Sequence, residues 1–388
     1  MSQGNPDHPI RVAIDATPLL GEMTGVGEFC AGILQGLGSS GEAHVLAFAV
    51  SWRRRGEIVG HLADGVFPVT KPMPARPIHF AWNHFSKPVI EYWTKKIDIV
   101  HGTNYVVPPT RKAGRVVSVH DLTTVRFPQL CDQATLKYPR LIEKAVRQGA
   151  WVHTDTQFIA QEVVDIIGVD PSRVRTVSPG IPRSTLGREL PEPNPLADEL
   201  GKRKISKYVV FVGTIEPRKD LPTLLRAFGK LNASNTHLGL VIVGRRGWGS
   251  DEFDNTLRGL DSSTQDKIVL TGFVTRQDRE AIIRNASCFV YPSLYEGFGF
   301  PPLEAMSLGV PVIATRAGGV PEVVGEAALL SEPKNEDDLA LSIERVLGEA
   351  NLAESLVSKG NVQAAKYTWH RCADGLISLY RSCLESIA

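Results

Sequence analysis

The chain has 388 residues, more than one hydrophobic core usually serves, so two domains are expected. Lys plus Arg number 43 against 42 Asp plus Glu, and a formal net charge of +1 argues against a dedicated binder of nucleic acid polymers. The 43% hydrophobic content excludes disorder as the main character, and no apolar run reaches the roughly 18 residues of a membrane helix.

Met1 to Pro9 is polar and carries no Lys or Arg, unlike a secretory signal. The cysteines, Cys30, Cys131, Cys288, Cys372 and Cys383, are scattered and form no CxxC pair. A disulfide framework or zinc site is not expected, and a reduced, cytoplasmic setting fits.

In chain order, the first strand signal is Ile10–Asp15. A Gly- and Thr-rich turn, Gly21–Gly27, leads to a helix over Glu28–Leu37 and an apolar run at His44–Val50. Strand, turn, helix, strand is the opening of a doubly wound α/β domain. Apolar runs recur at Ile97–His101, Val116–His120, Trp151–Thr154 and Arg173–Val177, several ending in a polar residue, where such folds place ligands. Between Pro182 and Lys207 the pattern breaks. Glu189–Pro195, rich in Pro and charge, reads as a linker. Alternation restarts with a strand at Tyr208–Gly213 and a helix at Leu221–Leu231, with Asp220 at the N-cap position and Pro222 in the first turn. Further strands are expected at Leu238–Gly244, Lys267–Thr271, Cys288–Tyr291, Val310–Ala314 and Ala327–Leu330. Two parallel-sheet domains are expected, 1–190 and 205–365, facing each other across a deep cleft, a natural small-molecule site.

The segment Tyr295–Thr315 is the most informative. Gly297 and Gly299 let the backbone approach a ligand, and a helix expected from Pro301 offers free N–H groups to an anion. Glu296 in the loop and Glu304 on the expected first helical turn can point the same way, and a carboxylate there accepts from pairs of sugar or ribose hydroxyls. Taken singly, each has a plainer reading, a surface charge for Glu296 and a macrodipole partner for Glu304.

At these residues the sequence resembles the retaining glycosyltransferases of family 4, which have the two-domain GT-B fold. The resemblance rests on Glu296-Gly-Phe-Gly-Phe-Pro-Pro-Leu-Glu304, Gly213-Thr-Ile-Glu-Pro-Arg-Lys-Asp220, Thr24-Gly-Val-Gly27, His120-Asp-Leu122 and a terminal helix at Trp369–Tyr380. It implies that Glu304 holds the ribose and Glu296 the donor sugar, while Lys219 contacts the diphosphate. The family's Arg five residues earlier is here Thr214, which leaves Arg218 as its substitute. His120 is implied beside the donor sugar. The donor-binding set becomes Gly25, Gly27, Gly244, Val274, Gly297, Phe298, Gly299, Leu303 and Glu304. Asn104 and Tyr105 fall on the acceptor side, and helix 366–388 packs back on the first domain. The Glu-Pro-Arg-Lys variant looks like the branch of bacterial mannosyl- and rhamnosyltransferases.

Other readings stand beside these. Arg218, Lys219, Arg245 and Arg246 read equally as solvated charges, Gly25 and Gly27 as an ordinary tight turn, and His120, Asn104 and Tyr105 as packing residues. No Asp-x-Asp motif occurs, so a metal-independent enzyme with no cofactor is expected. Trp52–Arg55 and His79–Lys96 mix aromatic and basic residues, which suits a lipid-linked acceptor or peripheral contact with the inner face of a membrane as well as an ordinary folded surface. The expected activity is transfer of a hexose, first mannose from GDP-mannose, to a glycan or glycolipid. A dTDP-rhamnose or UDP-sugar donor and a non-catalytic sugar-nucleotide-binding subunit are the alternatives. A dinucleotide-dependent oxidoreductase is disfavoured, because Gly25-Val-Gly27 lacks the third glycine of GxGxxG.

Overall fold

The computed structural model describes residues 8–21, 23–133, 135–181, 194–233 and 235–387. They divide into two compact units, one drawn from Met1–Pro128, Gln133–Pro182 and Tyr367–Ala388, the other from Gln129–Asp132 and Arg183–Lys366.

The first unit is a seven-stranded parallel sheet. Its strands are β1 (Ile10–Asp15), β2 (Ala43–Phe48), β3 (Val66–Pro68), β4 (Ile99–Gly102), β5 (Gly114–Val119), β6 (Trp151–Thr154) and β7 (Val174–Thr176). Their spatial order is β3-β2-β1-β4-β5-β6-β7. The central strands read as continuous apolar runs because both faces are covered, and every residue of β4, β5 and β6 is buried. Only β3 lacked a sequence signal. It is three residues long, sits at the sheet edge and ends on Pro68, where the missing N–H costs no ladder bond.

Helix α1 (Gly25–Gly38) starts three residues earlier than expected, capped by the Thr24 hydroxyl, which accepts from the Gly27 N–H at 3.3 Å. It buries Phe29, Ile33, Leu34 and Leu37 against the sheet. Two of its glycines are dictated by the C-terminal helix, Trp369–Glu385, which crosses them. A Cβ on Gly32 would lie 2.1 Å from the Trp369 ring, and one on Gly36 2.4 Å from the Trp369 carbonyl oxygen. The same helix buries Leu376, Ile377 and Tyr380.

The second unit carries β8 (Lys207–Val212), β9 (Leu238–Val243), β10 (Ile268–Gly272), β11 (Cys288–Tyr291), β12 (Val312–Thr315) and β13 (Ala328–Ser331). All neighbours are parallel, in the order β10-β9-β8-β11-β12-β13. Helices that matter below are α2 (Leu221–Asn232), α3 (Arg276–Arg284) and α4 (Phe300–Ser307). The expected linker needs correction. Its Glu189–Pro193 part lies outside the described residues, but Ala197–Lys202 is a helix of the second unit. Arg203 ties it down by donating to the Asp266 and Ile268 carbonyls, and Asn194 donates to the Tyr208 hydroxyl. Pro and charge concealed one short amphipathic turn.

Strand order reverses between β1 and β4 in one sheet and between β8 and β11 in the other. Loops leaving such paired strands diverge and open a crevice at their C-terminal ends. The Glu296 cluster described below lies at the β8/β11 switch point, and His120 and Asp155 lie at the carboxyl ends of β5 and β6. Cys30, Cys288, Cys372 and Cys383 are buried thiols outside any disulfide, and Cys131 is half-buried. Among the described residues no helix is long and apolar enough to cross a membrane.

Candidate functional site

The densest charged cluster lies at the β8/β11 switch point. After β8 the chain forms a 3-10 turn, Pro217–Lys219, then Asp220 with φ 45° leads into α2. After β11, Glu296 is brought against that turn. Its Oε2 lies 2.6 Å from an Arg218 guanidinium nitrogen and its Oε1 2.6 Å from Lys219 Nζ. One carboxylate therefore bridges two cations. Arg218 is also held by Glu216 Oε1 at 2.7 Å and donates to the Tyr295 carbonyl at 3.0 Å. Lys219 Nζ donates to the Tyr291 hydroxyl at 2.5 Å and sits 4.7 Å from that ring's centroid.

Burial alone would raise the Glu296 pKa, but the charges of Arg218 and Lys219 and their hydrogen bonds win and hold it at about 2. Lys219 is pushed below its ordinary value, by burial first and then by Arg218, with Glu296 and Glu216 opposing. Burial raises Tyr291 well above the phenol range, so it stays neutral. Backbone packing fixes the Glu296 loop. The Glu296 carbonyl accepts from the Gly319 N–H at 2.7 Å, and a Cβ on Gly318 would meet that oxygen at 2.2 Å.

Gly299, at φ 93°, is the N-cap of α4, so the helix begins at Phe300 and not at Pro301. Glu304 consequently lies beyond the first turn, which holds no acidic residue, and the macrodipole reading of Glu304 fails. Glu304 is 6% exposed and paired with Arg279 of α3 at 3.1 Å. Phe298 and Leu303 are buried, with Phe298 edge-on to Phe300 at 5.0 Å. Gly244 follows β9 at φ 144°, and a Cβ there would stand 2.0 Å from the Gly213 carbonyl oxygen. Val274 is half-buried in the loop before α3. Thr214 packs under Gly247, whose Cβ would come 2.7 Å from its methyl group, so it takes no part in the cation cluster.

In the first unit, Gly25 and Gly27 are not a turn between strand and helix but the first and third residues of α1. The Thr24 hydroxyl takes the Gly27 N–H, and Met23 and Pro18 crowd its Cα. His120 follows β5. Its Nδ1 is 2.8 Å from Asp155 Oδ2 and its Nε2 2.8 Å from the Thr103 carbonyl. Thr103 Oγ1 in turn donates to the Asp15 carbonyl at 2.6 Å, which ties the ends of β1 and β4. Tyr105 is buried at φ 58°, stacks on Tyr138 at 4.6 Å and accepts from the Asp121 N–H at 3.2 Å. Asn104 is half-buried beside it. Of the aromatic–basic segments, Trp82 is buried, whereas Trp52, Phe80, Phe85 and Tyr92 are exposed.

Sequence reasoning missed Glu216, Tyr291, Arg279 and Asp155. Glu216 lay inside the quoted Gly213–Asp220 turn, and Asp155 is the polar residue directly after an apolar strand run. Tyr291 and Arg279 gave no signal, being one strand aromatic and one helical cation among many.

Residues 195–363 match the family described as glycosyl transferases group 1, and residues 23–185 that described as glycosyltransferase family 4. The O-antigen chain mannosyltransferase B of Escherichia coli is 29% identical over 288 residues, 73% of this chain and 74% of that protein. The serotype-specific mannosyltransferase WbdA of the same species is 28% identical over 244 residues, 60% of this chain but only 29% of that protein. The crystal structure of Anabaena HepE in complex with UDP and glucose aligns with a TM-score of 0.70 at 15% identity, covering 95% of this chain and 98% of that one. The chain belongs to the family 4 glycosyltransferases of the GT-B fold, and its class of activity is glycosyl transfer.

Proposed function

We propose that the chain is a retaining glycosyltransferase that moves mannose from GDP-mannose to a hydroxyl of a glycan or glycolipid acceptor, without a metal ion. One observation carries this reading: Arg218 and Lys219 are held side by side by Glu296 at the switch point of the second sheet, next to the glycine loop 297–299. A departing diphosphate gains negative charge, and two preplaced cations are what it needs. Glu304 would hold the ribose, Glu296 a hydroxyl of the donor sugar, and the Gly297–Gly299 backbone would present N–H groups. The proposed route to retention is attack from the face the leaving group departs. The C1–O bond to the diphosphate breaks, the bond from the acceptor oxygen forms, and the acceptor proton passes to a leaving phosphate oxygen. The mannosyltransferase relatives support mannose as the sugar. A second reading, a UDP-sugar donor, is favoured by the UDP complex of HepE. Peripheral membrane contact through the exposed Trp52, Phe80, Phe85 and Tyr92 belongs to the proposal, as does a cytoplasmic setting.

A thermal-shift screen of GDP, UDP and dTDP and their sugars separates the donors, because a ligand of the folded state stabilises it by RT ln(1 + [L]/Kd). GDP and GDP-mannose are expected to shift the midpoint most. Stabilisation by UDP or dTDP alone overturns GDP-mannose as donor. An inverted product anomer by NMR overturns retention.

A further inference from the structure

The first unit contains three buried or near-buried histidines whose protons follow from their hydrogen-bond partners and their burial. His153 Nε2 lies 2.9 Å from the Val177 carbonyl, which only accepts, so Nε2 carries a proton, and burial, which lowers the His153 pKa, leaves Nδ1 bare. That Nδ1 accepts from Ser118 Oγ at 2.9 Å. With its proton used there, Ser118 Oγ accepts from His101 Nε2 at 2.8 Å, and His101 Nδ1 accepts from the Tyr380 hydroxyl at 2.7 Å. This chain closes with both rings neutral. Burial also lowers both pKa values, that of His101 far below the ordinary one.

His120 cannot be treated the same way. Its two ring nitrogens face a carboxylate oxygen and a carbonyl oxygen, each at 2.8 Å, and both of these accept only. A neutral ring would set a lone pair against one of them, whereas an imidazolium satisfies both. Asp155 is 3% exposed, and its Oδ1 accepts no hydrogen bond. His153 Nε2, at 3.9 Å from that oxygen, is too distant and already committed. A buried carboxylate so placed needs a counter-charge, and His120 is in position to be it. The other groups facing this ring are the neighbouring Asp121, the neutral His101 and His153, and the Tyr105 phenol, which burial pushes up. The Cys372 thiol of the C-terminal helix faces Asp155 and is also pushed up by burial and by that charge. Phe29 presents its ring edge-on at 4.9 Å. Burial lowers the His120 pKa, but the Asp155 charge and hydrogen bond, the Thr103 carbonyl and Asp121 outweigh it, and the net direction is upward.

We propose that His120 acts as a fixed cation, with both ring N–H groups committed to Asp155 and to the Thr103 carbonyl, and that Asp155 is the positioning residue that holds it so. The inference rests on the glycosyl-transfer reading for its use, not for its geometry. A ring without a lone pair takes no proton from the acceptor, which agrees with that proton leaving on the phosphate. Its contribution is a fixed positive charge at the carboxyl edge of the first sheet, and a transition state that gains negative charge is favoured by such a cation.

The test is NMR on the full chain with 15N-labelled histidine, paired with kinetics. Both His120 nitrogens are expected to be protonated at about pH 7, with His101 and His153 neutral in single tautomers. Asp155→Asn turns His120 neutral at that pH, whereas Tyr380→Phe, which touches only the neutral chain, leaves its state unchanged. Because the charged form is present below the raised pKa, wild-type kcat falls as pH rises through it. In Asp155→Asn the fall moves to lower pH, and kcat at pH 7 drops about a hundredfold with donor KM little changed. Asp155→Glu recovers most of the loss. A neutral His120 in the wild type, or kcat that rises through its titration, overturns the proposal. Full activity in His120→Ala overturns its use in the reaction. Absence of transfer with every donor would sink the functional reading instead, and the NMR arm, which needs no donor, would still decide the charge.

Discussion

Replacing Glu296 by Gln keeps the side-chain shape and removes the charge shared by Arg218 and Lys219. The two cations do not suffer equally. Arg218 keeps Glu216 at 2.7 Å. Lys219, 7% exposed, keeps only the Tyr291 hydroxyl and the more distant charge of Glu216. Removing one partner of a buried pair costs about 3–5 kcal/mol, because the other charge is left uncompensated. A second route gives the same size. Holding a carboxyl with an ordinary value of 4.5 at about 2 corresponds to roughly 3 kcal/mol of stability. In a unit of this length each kcal/mol moves the midpoint by about 2–4 °C, so scanning calorimetry at pH 7 should show the second unit melting roughly 6–20 °C lower. The pH dependence has a fixed sign. A carboxylate held below its ordinary value stabilises the fold above about pH 4.5, and that stability is lost as the pH falls towards 2. In the variant this acid slope should flatten. A fall of less than about 1 °C, or an unchanged slope, would show that Glu296 is not the counter-charge of Lys219.

Other substitutions separate the proposed roles. Lys219→Ala should lower kcat about a hundredfold or more and leave donor KM nearly unchanged, as expected for a group that acts on the departing diphosphate. Glu304→Ala should raise donor KM by about tenfold to a hundredfold with a smaller effect on kcat, read in the same initial-rate assay. Gly32→Ala drives a methyl group into the Trp369 ring and should destabilise the first unit by about 1–3 kcal/mol. Tryptic cleavage near Arg371 and Arg381 should then quicken as the C-terminal helix loosens, and an unchanged cleavage rate would refute that packing role. Co-sedimentation with anionic vesicles should fall when Trp52, Phe80, Phe85 and Tyr92 are replaced by Ser. Equal sedimentation with and without vesicles removes the membrane contact.

Much of the fold could be read from the chain because buried parallel strands leave little ambiguity. Six of the seven strands of the first sheet were expected within about two residues, as were all six of the second. Edge position and a terminal proline hid β3, and composition hid the helix Ala197–Lys202. At the site, the paired glutamates and the Arg-Lys turn were legible as a motif, but their relation was not. Spacing suggested that Glu296 and Glu304 act together. In the structure each carboxylate instead has its own cation partners, Glu296 with Arg218 and Lys219, Glu304 with Arg279. Arg279 lies on α3, 25 residues before Glu304, so its pairing with Glu304 on α4 is a tertiary contact that local spacing does not reveal. Asp155 and Thr103 come beside His120 only once β4, β5 and β6 lie side by side, a relation that no local pattern encodes.

The shared carboxylate also bears on how a site built for a diphosphate avoids holding any passing anion. Two bare cations at a switch point would bind free phosphate, but here Glu296 already occupies them. An anion that displaces Glu296 gains two cations and strands a carboxylate, which must then find hydrogen-bond donors of its own. Inorganic phosphate offers few. On the proposed reading a nucleotide-sugar offers both halves at once, oxyanions for Arg218 and Lys219 and sugar hydroxyls for the released Glu296. The exchange predicts a signature in binding. Glu296→Gln should bind the nucleotide diphosphate lacking its sugar more tightly than the wild type, by about tenfold for each 1.4 kcal/mol of competition removed, while it transfers sugar more slowly. Titration calorimetry with the diphosphate alone reads the first effect. Weaker binding in the variant would mean that Glu296 orders the cations and does not compete for them.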